Sequence, residues 1–135
     1  MKVSEVYKAF QMLFEARTPG IEPAEVVNII KMMGVFRPVC DEFENFRKDL
    51  FDKYGIPNFE ETVRALRMGE SLTEEQKHEL DVYESQAAPI LDAELERVLE
   101  KDLDYPRITP ETMARLIQAN GWKMSASIEL SFLIA

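Results

Sequence analysis

Residues 23–54, PAEVVNIIKMMGVFRPVCDEFENFRKDLFDKY, contain the longest helical pattern in the chain and decide the fold. Pro23 suits the first turn of a helix, whereas Gly55 and Pro57 indicate where that helix ends. The first half, up to Phe36, is apolar on almost every side, and the second half narrows to one apolar stripe. The sequence therefore predicts one long helix whose first half must be covered by other elements.

Pro38 lies inside this predicted helix, where a proline removes one hydrogen bond and its ring presses on the carbonyl four residues back. The residue four back is Gly34, which eases the contact. We expect a kink at this point, and a break into two helices is the alternative.

Further helices are predicted on both sides of the long one. Apolar residues at three- and four-residue spacing predict a first helix over about residues 3–17. A short third helix over about residues 58–68 begins at a pattern that resembles a capping box, Asn58-Phe59-Glu60-Glu61. An acidic fourth helix follows over about residues 73–100, and Pro89 should bend it.

The C-terminal part combines one extended segment with two more helices. Pro106 disfavours a helix just before it, and Thr109-Pro110 is a strong helix start. Asn120-Gly121 ends that helix, and Ser125 can begin a last short one. The prediction is an all-α fold in which the long kinked helix packs antiparallel to the acidic helix. We expect a single domain, 1–135, with parts 1–54, 58–100 and 103–135.

The net charge of −9 is concentrated in one segment. Residues 70–104 hold twelve acids and three bases, so they supply the whole imbalance, while the rest of the chain is neutral. Such a segment repels phosphate backbones, so no nucleic-acid partner is expected. It is either a solvated face that keeps the protein soluble or a docking face for a basic protein. The candidate docking residues are Asp92, Glu94, Glu96 and Glu100.

Candidate catalytic and metal-binding patterns are sparse. Glu75 and His78 have the spacing of metal ligands on one helix face, but His78 is the only histidine and a di-iron bundle needs two such motifs. Asp92, Glu96 and Glu100 would share one face of the predicted helix, where carboxylates can bind a cation or transfer protons. An acidic surface stripe is the simpler interpretation. We expect no enzyme activity and no cofactor.

Two further side chains have a structural interpretation beside a functional one. Cys40 lies in an apolar stripe, so a buried small hydrophobic residue is favoured over a reactive thiolate. Trp122 follows a glycine helix end, so it should fold back over the preceding helix rather than stand out as an anchor for a partner.

The apolar first half of the long helix predicts self-association. A chain of this size covers only some sides of such a helix, and a second copy related by a two-fold axis could cover the rest. The alternative is that the first and C-terminal helices complete the cover within one chain. The candidate contact residues are Val26, Ile29, Ile30, Met33 and Phe36.

Three stretches of the chain resemble one known group of proteins. They are Phe43 to Gly55, then Leu95 to Leu99 continuing through Pro106-Arg107-Ile108-Thr109, and finally Leu130 to Ile134. Their order resembles that of small uncharacterised helical proteins of bacteriophages and prophages, although residues 56–69 depart from that layout. The resemblance implies a phage or prophage setting, in the host cytoplasm or the virion, and brings no catalytic residues.

Two protein-interaction functions follow as expectations, and a metal-dependent enzyme built on the carboxylates is a third, less favoured one. The first is a non-enzymatic phage or prophage accessory protein that works as an interaction or assembly subunit, with itself, a virion protein or a host protein as partner and a homodimer as the candidate self-assembly. The alternative is a phage-encoded regulator that binds a basic host protein through its acidic face. No apolar run is long enough to span a membrane, and the start of the sequence lacks a signal-peptide pattern, so we expect an intracellular protein without a membrane anchor.

Overall fold

The computed structural model describes residues 1–135 and confirms the all-α prediction. A π-helical turn, Tyr83–Ala87, separates α4 from α5, and a short 3-10 turn, Ser131–Leu133, follows α7. Extended backbone is limited to two isolated β-bridges. The helices are α1 (Val3–Phe14), α2 (Pro23–Tyr54), α3 (Phe59–Arg67), α4 (Glu74–Val82), α5 (Ala88–Leu95), α6 (Pro110–Asn120) and α7 (Met124–Glu129).

Packing divides the chain into two compact units. Unit one comprises Met1–Cys40 together with Val98–Ala135, and unit two comprises Asp41–Arg97. Helix α2 contributes its first part to unit one and the remainder to unit two. The three parts expected from the sequence do not coincide with these units, because segments near the two termini pack together in unit one.

Unit one is built around apolar side chains from α1, the first part of α2, α6 and the C-terminal segment. The Phe36 ring lies edge-on to the Tyr105 ring, with 5.0 Å between the centroids. The Tyr105 hydroxyl donates a hydrogen bond of 2.9 Å to the Phe132 carbonyl, so it is satisfied beside the core. The buried core residues are Val6, Ala9, Leu13, Ile21, Ile29, Met32, Phe36, Cys40, Ile108, Met113, Leu116, Leu130 and Leu133.

Hydrogen bonds join segments of unit one that are far apart in the sequence. The Arg17 backbone N–H donates to the Asn120 side-chain oxygen at 2.6 Å, and the Asn120 amide returns a 3.0 Å bond to the Arg17 carbonyl. Ile108 forms a parallel bridge with Ile134, supported by a bond from the Ile108 N–H to the Leu133 carbonyl at 2.9 Å. The segment predicted to be extended therefore pairs with the C-terminus.

Unit two confirms the antiparallel pairing predicted for the second half of the long helix. The Arg97 guanidinium lies 3.7 Å from the Glu42 carboxylate, near the start of that half. The Tyr83 ring lies 5.9 Å from the Phe51 ring, near its end. These two contacts show that residues 83–97, which include α5, run opposite to the second half of α2. Helix α3 lies in the connection between them.

The acidic helix differs from its prediction at both Pro89 and its C-terminal end. In the π-helical turn, the Ala88 N–H bonds to the Tyr83 carbonyl five residues back. This wider turn lets a helix continue past Pro89, which has no N–H to donate. Helix α5 then ends at Leu95, not near residue 100, because the chain turns extended and the Leu99 N–H bonds to the Met1 carbonyl at 2.8 Å.

Of the helix ends and caps predicted for α2, α3 and α4, some are confirmed and one is wrong. Helix α2 continues through Pro38 without a break and stops where Gly55 adopts a φ of 73°. Ile56 folds back into the core, with its N–H bonded to the Phe51 carbonyl at 2.8 Å, as predicted. The capping box at Asn58 was wrong, since that side chain makes no capping bond. For the fourth helix, residues 71–76 offer two overlapping caps by sequence, and one of them forms, a capping box between Thr73 and Gln76.

Candidate functional site

The residues predicted for self-association do not share one surface. Ile29 and Phe36 are buried in the core of unit one, so they cannot contact a second copy. Val26 and Met33 are partly buried against the same core. Ile30 is 57% exposed and is the one candidate of the five that stands in solvent. Intrachain packing therefore covers more of α2 than the self-association hypothesis assumed.

The residues predicted to form an acidic docking face are also separated. Asp92 and Glu94 lie on α5, and Glu96 follows its last residue. Glu100 belongs to the extended segment of unit one, so the shared helix face expected for Asp92, Glu96 and Glu100 does not exist. Glu94 is engaged by Arg97, whose Nε donates to its carboxylate at 2.9 Å. Of the four predicted docking residues, only Asp92, Glu94 and Glu96 lie together in unit two.

The remaining candidates have structural positions. Cys40 is buried in the core of unit one, and Trp122 packs partly buried against that core, as predicted for both. The Trp122 N–H bonds to the Ile117 carbonyl at 3.0 Å, beyond a left-handed Gly121. His78 is exposed on α4, and no group of three or more His, Cys, Asp and Glu side chains is placed to hold a metal ion.

An open groove in unit two is the feature that sequence reasoning missed. It has a volume of about 440 Å³ and lies between α3, the second part of α2, the start of the π-helical turn and α5. Helix α3 turns one face toward it, with residues at spacings of three and four, while Thr62 and Ala65 on its other side are buried. The groove is lined by Arg47, Phe51, Phe59, Glu60, Val63, Arg64, Arg67, Tyr83 and Leu91.

Three aromatic rings form one wall of this groove. The Phe59 and Tyr83 rings are stacked with 4.0 Å between centroids, and Phe51 meets both of them edge-on, at 5.5 Å and 5.9 Å. The Arg47 guanidinium lies 5.8 Å from the Phe51 centroid, a cation–π distance. The wall therefore combines apolar area with a positive charge beside it.

The three arginines of the groove differ in their partners. Arg47 is held by the carboxylates of Glu44 and Glu60, each at 3.2 Å from its Nη2. Arg64 and Arg67 are exposed, and neither guanidinium has an ion-pair or hydrogen-bond partner in the chain. A positively charged, uncompensated edge therefore borders the aromatic wall.

A weak signal for this groove was present in the sequence. Arg64 and Arg67 stand three residues apart in the segment 56–69, which interrupts the phage-like layout. Nothing in that spacing indicated that Arg47 and Tyr83, from distant parts of the chain, would join them. The site depends on how four elements of unit two pack, namely α2, α3, the π-helical turn and α5.

The chain has no helix long and apolar enough to cross a membrane. Comparison with protein-family models, with curated proteins and with solved structures finds no match.

Proposed function

We propose that the protein is a non-enzymatic phage or prophage accessory protein that works as an interaction or assembly subunit and associates with a second copy of itself. The phage setting is supported by the resemblance of residues 43–55, 95–109 and 130–134 described above. Self-association is supported by one observation, a narrow outward face of α2 in unit one that is uncharged and only partly covered within the chain, with exposed Lys31 and Arg37 on its two sides.

Four residues define this outward face of α2. A helical residue turns about 100° from the last, so Val27, Ile30, Gly34 and Pro38 fall within one narrow arc. Val27 is 45% exposed, Ile30 is 57% exposed, and the other two are exposed as well. Burying a fully exposed large apolar side chain is worth about 1.5–3 kcal/mol, so covering the half-exposed Val27 and Ile30 with a second copy would gain roughly half of that at each position.

Gly34 adds a geometric argument for close approach of another helix. A glycine inside a helix destabilises it by about 0.8–1.0 kcal/mol relative to alanine. A methyl group added at Gly34 would meet no atom within 4 Å apart from the adjoining backbone of its own helix, so no neighbouring side chain or element requires the glycine for lack of space. An open glycine flanked by Ile30 lets a second backbone approach more closely than any larger residue would.

Sedimentation equilibrium over a concentration range reaching on the order of tens of micromolar tests self-association. We expect a dimer for the natural sequence and a monomer for Ile30→Glu, because a buried unpaired charge opposes association. Folding should be retained, since substitutions at exposed positions change stability by only about 0.5 kcal/mol. Gly34→Ala should weaken the dimer while raising the stability of the helix.

The control is the same substitution at another exposed isoleucine, Ile128→Glu on α7, which is 76% exposed. This variant should remain dimeric if the α2 face is the interface. A strict monomer for the natural sequence would overturn self-association and would favour the alternative, a regulator that binds a basic host protein through its acidic unit. Loss of the dimer in Ile128→Glu but not in Ile30→Glu would assign the interface to α7 instead.

A further inference from the structure

The distribution of charge sets the groove of unit two apart from its surroundings. Unit two holds sixteen acids and seven bases, so it carries a net charge of −9, whereas unit one holds nine of each. Three of the seven bases of unit two, Arg47, Arg64 and Arg67, line the single groove described above. A positive site has therefore been assembled inside the acidic half of the protein.

Two arginines of this site, Arg64 and Arg67, are placed so that both can bind one anion from outside the chain. Arg64 and Arg67 lie at i and i+3 on α3, which places neighbouring side chains about 5–6 Å apart at their Cβ atoms. Planar guanidinium groups bind carboxylates and phosphates through two parallel hydrogen bonds. Carboxylates are abundant in unit two, yet none pairs with these two arginines.

The aromatic wall adds a requirement for apolar contact. Phe59 and Tyr83 are only partly buried, and the stacked pair borders the groove beside Leu91 and Val63. Aromatic rings and arginines are the residues that dominate binding energy at protein interfaces. A ligand that fits would carry negative groups for Arg64 and Arg67 and an apolar or aromatic group for the wall.

We propose that this groove binds a short acidic segment of a partner protein, with carboxylates on Arg64 and Arg67 and an adjacent aromatic or large apolar side chain against Phe59 and Tyr83. The proposal goes beyond self-association, since it concerns unit two and a different face. It also differs from the acidic docking hypothesis, because the partner's contacting segment is negative.

The net charge of unit two argues against a nucleic-acid strand as the occupant. A strand carries a phosphate at every nucleotide, and those beyond the groove would lie over an acidic surface that repels them. A peptide can confine its negative charge to the two or three residues that face the arginines. The opening of the groove to solvent, without an enclosing lid, suits a chain that enters and leaves at its ends.

The test is selection of a phage-displayed library of random short peptides on the immobilised full-length protein. The variant Arg64→Gln/Arg67→Gln serves for counter-selection. We expect enrichment of peptides with clustered Asp and Glu beside Phe, Tyr, Trp or Leu. Fluorescence anisotropy with an enriched peptide should then show an affinity weakened about tenfold or more in this variant, since hydrogen bonds to charged groups are the strong ones.

The matched control is Lys53→Gln/Lys77→Gln, which removes two positive charges from unit two outside the groove. This variant should bind the enriched peptide within about twofold of the natural protein, because distant exposed charges are screened. Phe59→Ala should weaken binding without changing its salt dependence. Circular dichroism confirms that each variant is folded.

Three results would overturn the proposal. Selection that yields no peptides dependent on Arg64 and Arg67, or yields basic ones, removes the acidic segment as the occupant. An equal loss of affinity in the lysine control would reduce the effect to net charge alone. Saturable binding of a fluorescent ATP analogue that depends on the two arginines, without peptide enrichment, would reassign the groove to a small phosphate ligand.

Discussion

Thr62 of α3 has a side chain that is buried and polar at once. Its hydroxyl donates to a carboxylate oxygen of Glu79 on α4, with 3.0 Å between the oxygens. The residue itself is fully buried, whereas Glu79 keeps part of its surface in solvent. The Asn58 carbonyl oxygen lies 3.5 Å from the same hydroxyl, so the bond to Glu79 is the shorter and stronger of the two and links α3 to α4.

Replacing Thr62 by valine keeps the volume and removes the donor. We expect Thr62→Val to lower the free energy of unfolding by about 1–2 kcal/mol, the range for a lost hydrogen bond to a charged group that water can partly resolvate. Urea unfolding followed by far-ultraviolet circular dichroism measures the change.

A double-mutant cycle with Glu79→Ala isolates this bond from other effects of the substitutions. The coupling energy between Thr62→Val and Glu79→Ala should be at least about 0.5 kcal/mol. A coupling energy near zero would mean that the hydroxyl and the carboxylate do not stabilise one another in solution.

At the scale of the element, α2 has two prolines in opposite situations for a helix. Pro23 occupies the first position, where no intrahelical N–H bond is lost, and Pro38 lies in the interior, where one is. The helix nevertheless runs unbroken from Pro23 to Tyr54. Packing of Phe36 and Cys40 into the core of unit one, on either side of Pro38, compensates for the missing bond.

Replacing Pro38 by alanine should therefore stabilise the protein. The substitution restores an N–H that can bond the Gly34 carbonyl, and a proline inside a helix costs about 3 kcal/mol relative to alanine. About 0.4–1 kcal/mol of this gain is lost because alanine leaves the unfolded chain freer, so we expect a gain of about 2 kcal/mol from urea unfolding.

The control for this prediction is Pro110→Ala at the first turn of α6. No hydrogen bond can be restored there, and the unfolded chain gains freedom, so stability should fall by about 0.4–1 kcal/mol. If Pro38→Ala is no more stable than the natural protein, then the local geometry that Pro38 imposes is required by the packing of α2.

At the scale of the whole molecule, the two units differ in charge and in the surfaces they offer. Unit one is neutral and exposes apolar residues on α2, whereas unit two has a net charge of −9 and holds the arginine-lined groove. Repulsion among sixteen acids in a unit of this size opposes its compact state.

Salt should consequently stabilise the protein. Raising NaCl from about 0.01 M to about 0.1 M shortens the screening length from about 30 Å to about 10 Å, so the urea midpoint should rise. The variant Glu84→Gln/Asp92→Asn, at two exposed positions of unit two, should be more stable by a few tenths of a kcal/mol and show a smaller salt effect.

A matched variant in the neutral unit one distinguishes screening of the acidic repulsion in unit two from a general effect of salt on stability. Asp102→Asn/Asp104→Asn also removes two negative charges, but from exposed positions of unit one that lie outside the helices. Its salt dependence should stay close to that of the natural protein. Equal salt dependence in all three proteins would show that self-repulsion in unit two does not limit stability.

Local rules by themselves determined the helix class, the two bounds of α2 and the bounds of α6. Pro23, Gly55, Thr109 and Gly121 act within one helical turn, through a fixed φ, a left-handed glycine or a side-chain cap, so their effect is readable without knowledge of the fold. The burial of Cys40 and Trp122 followed from the same short-range patterns.

Tertiary structure alone decided which apolar and charged side chains meet. Ile29 and Ile30 are neighbours of identical chemistry, yet one is buried and the other stands in solvent, because α1, α6 and the C-terminal segment cover one side of α2 only. Likewise, Arg64 lies beside Tyr83 in one groove through the packing of α3 against α2 and the π-helical turn. Burial and contact depend on segments far apart in sequence, and no local pattern encodes their arrangement.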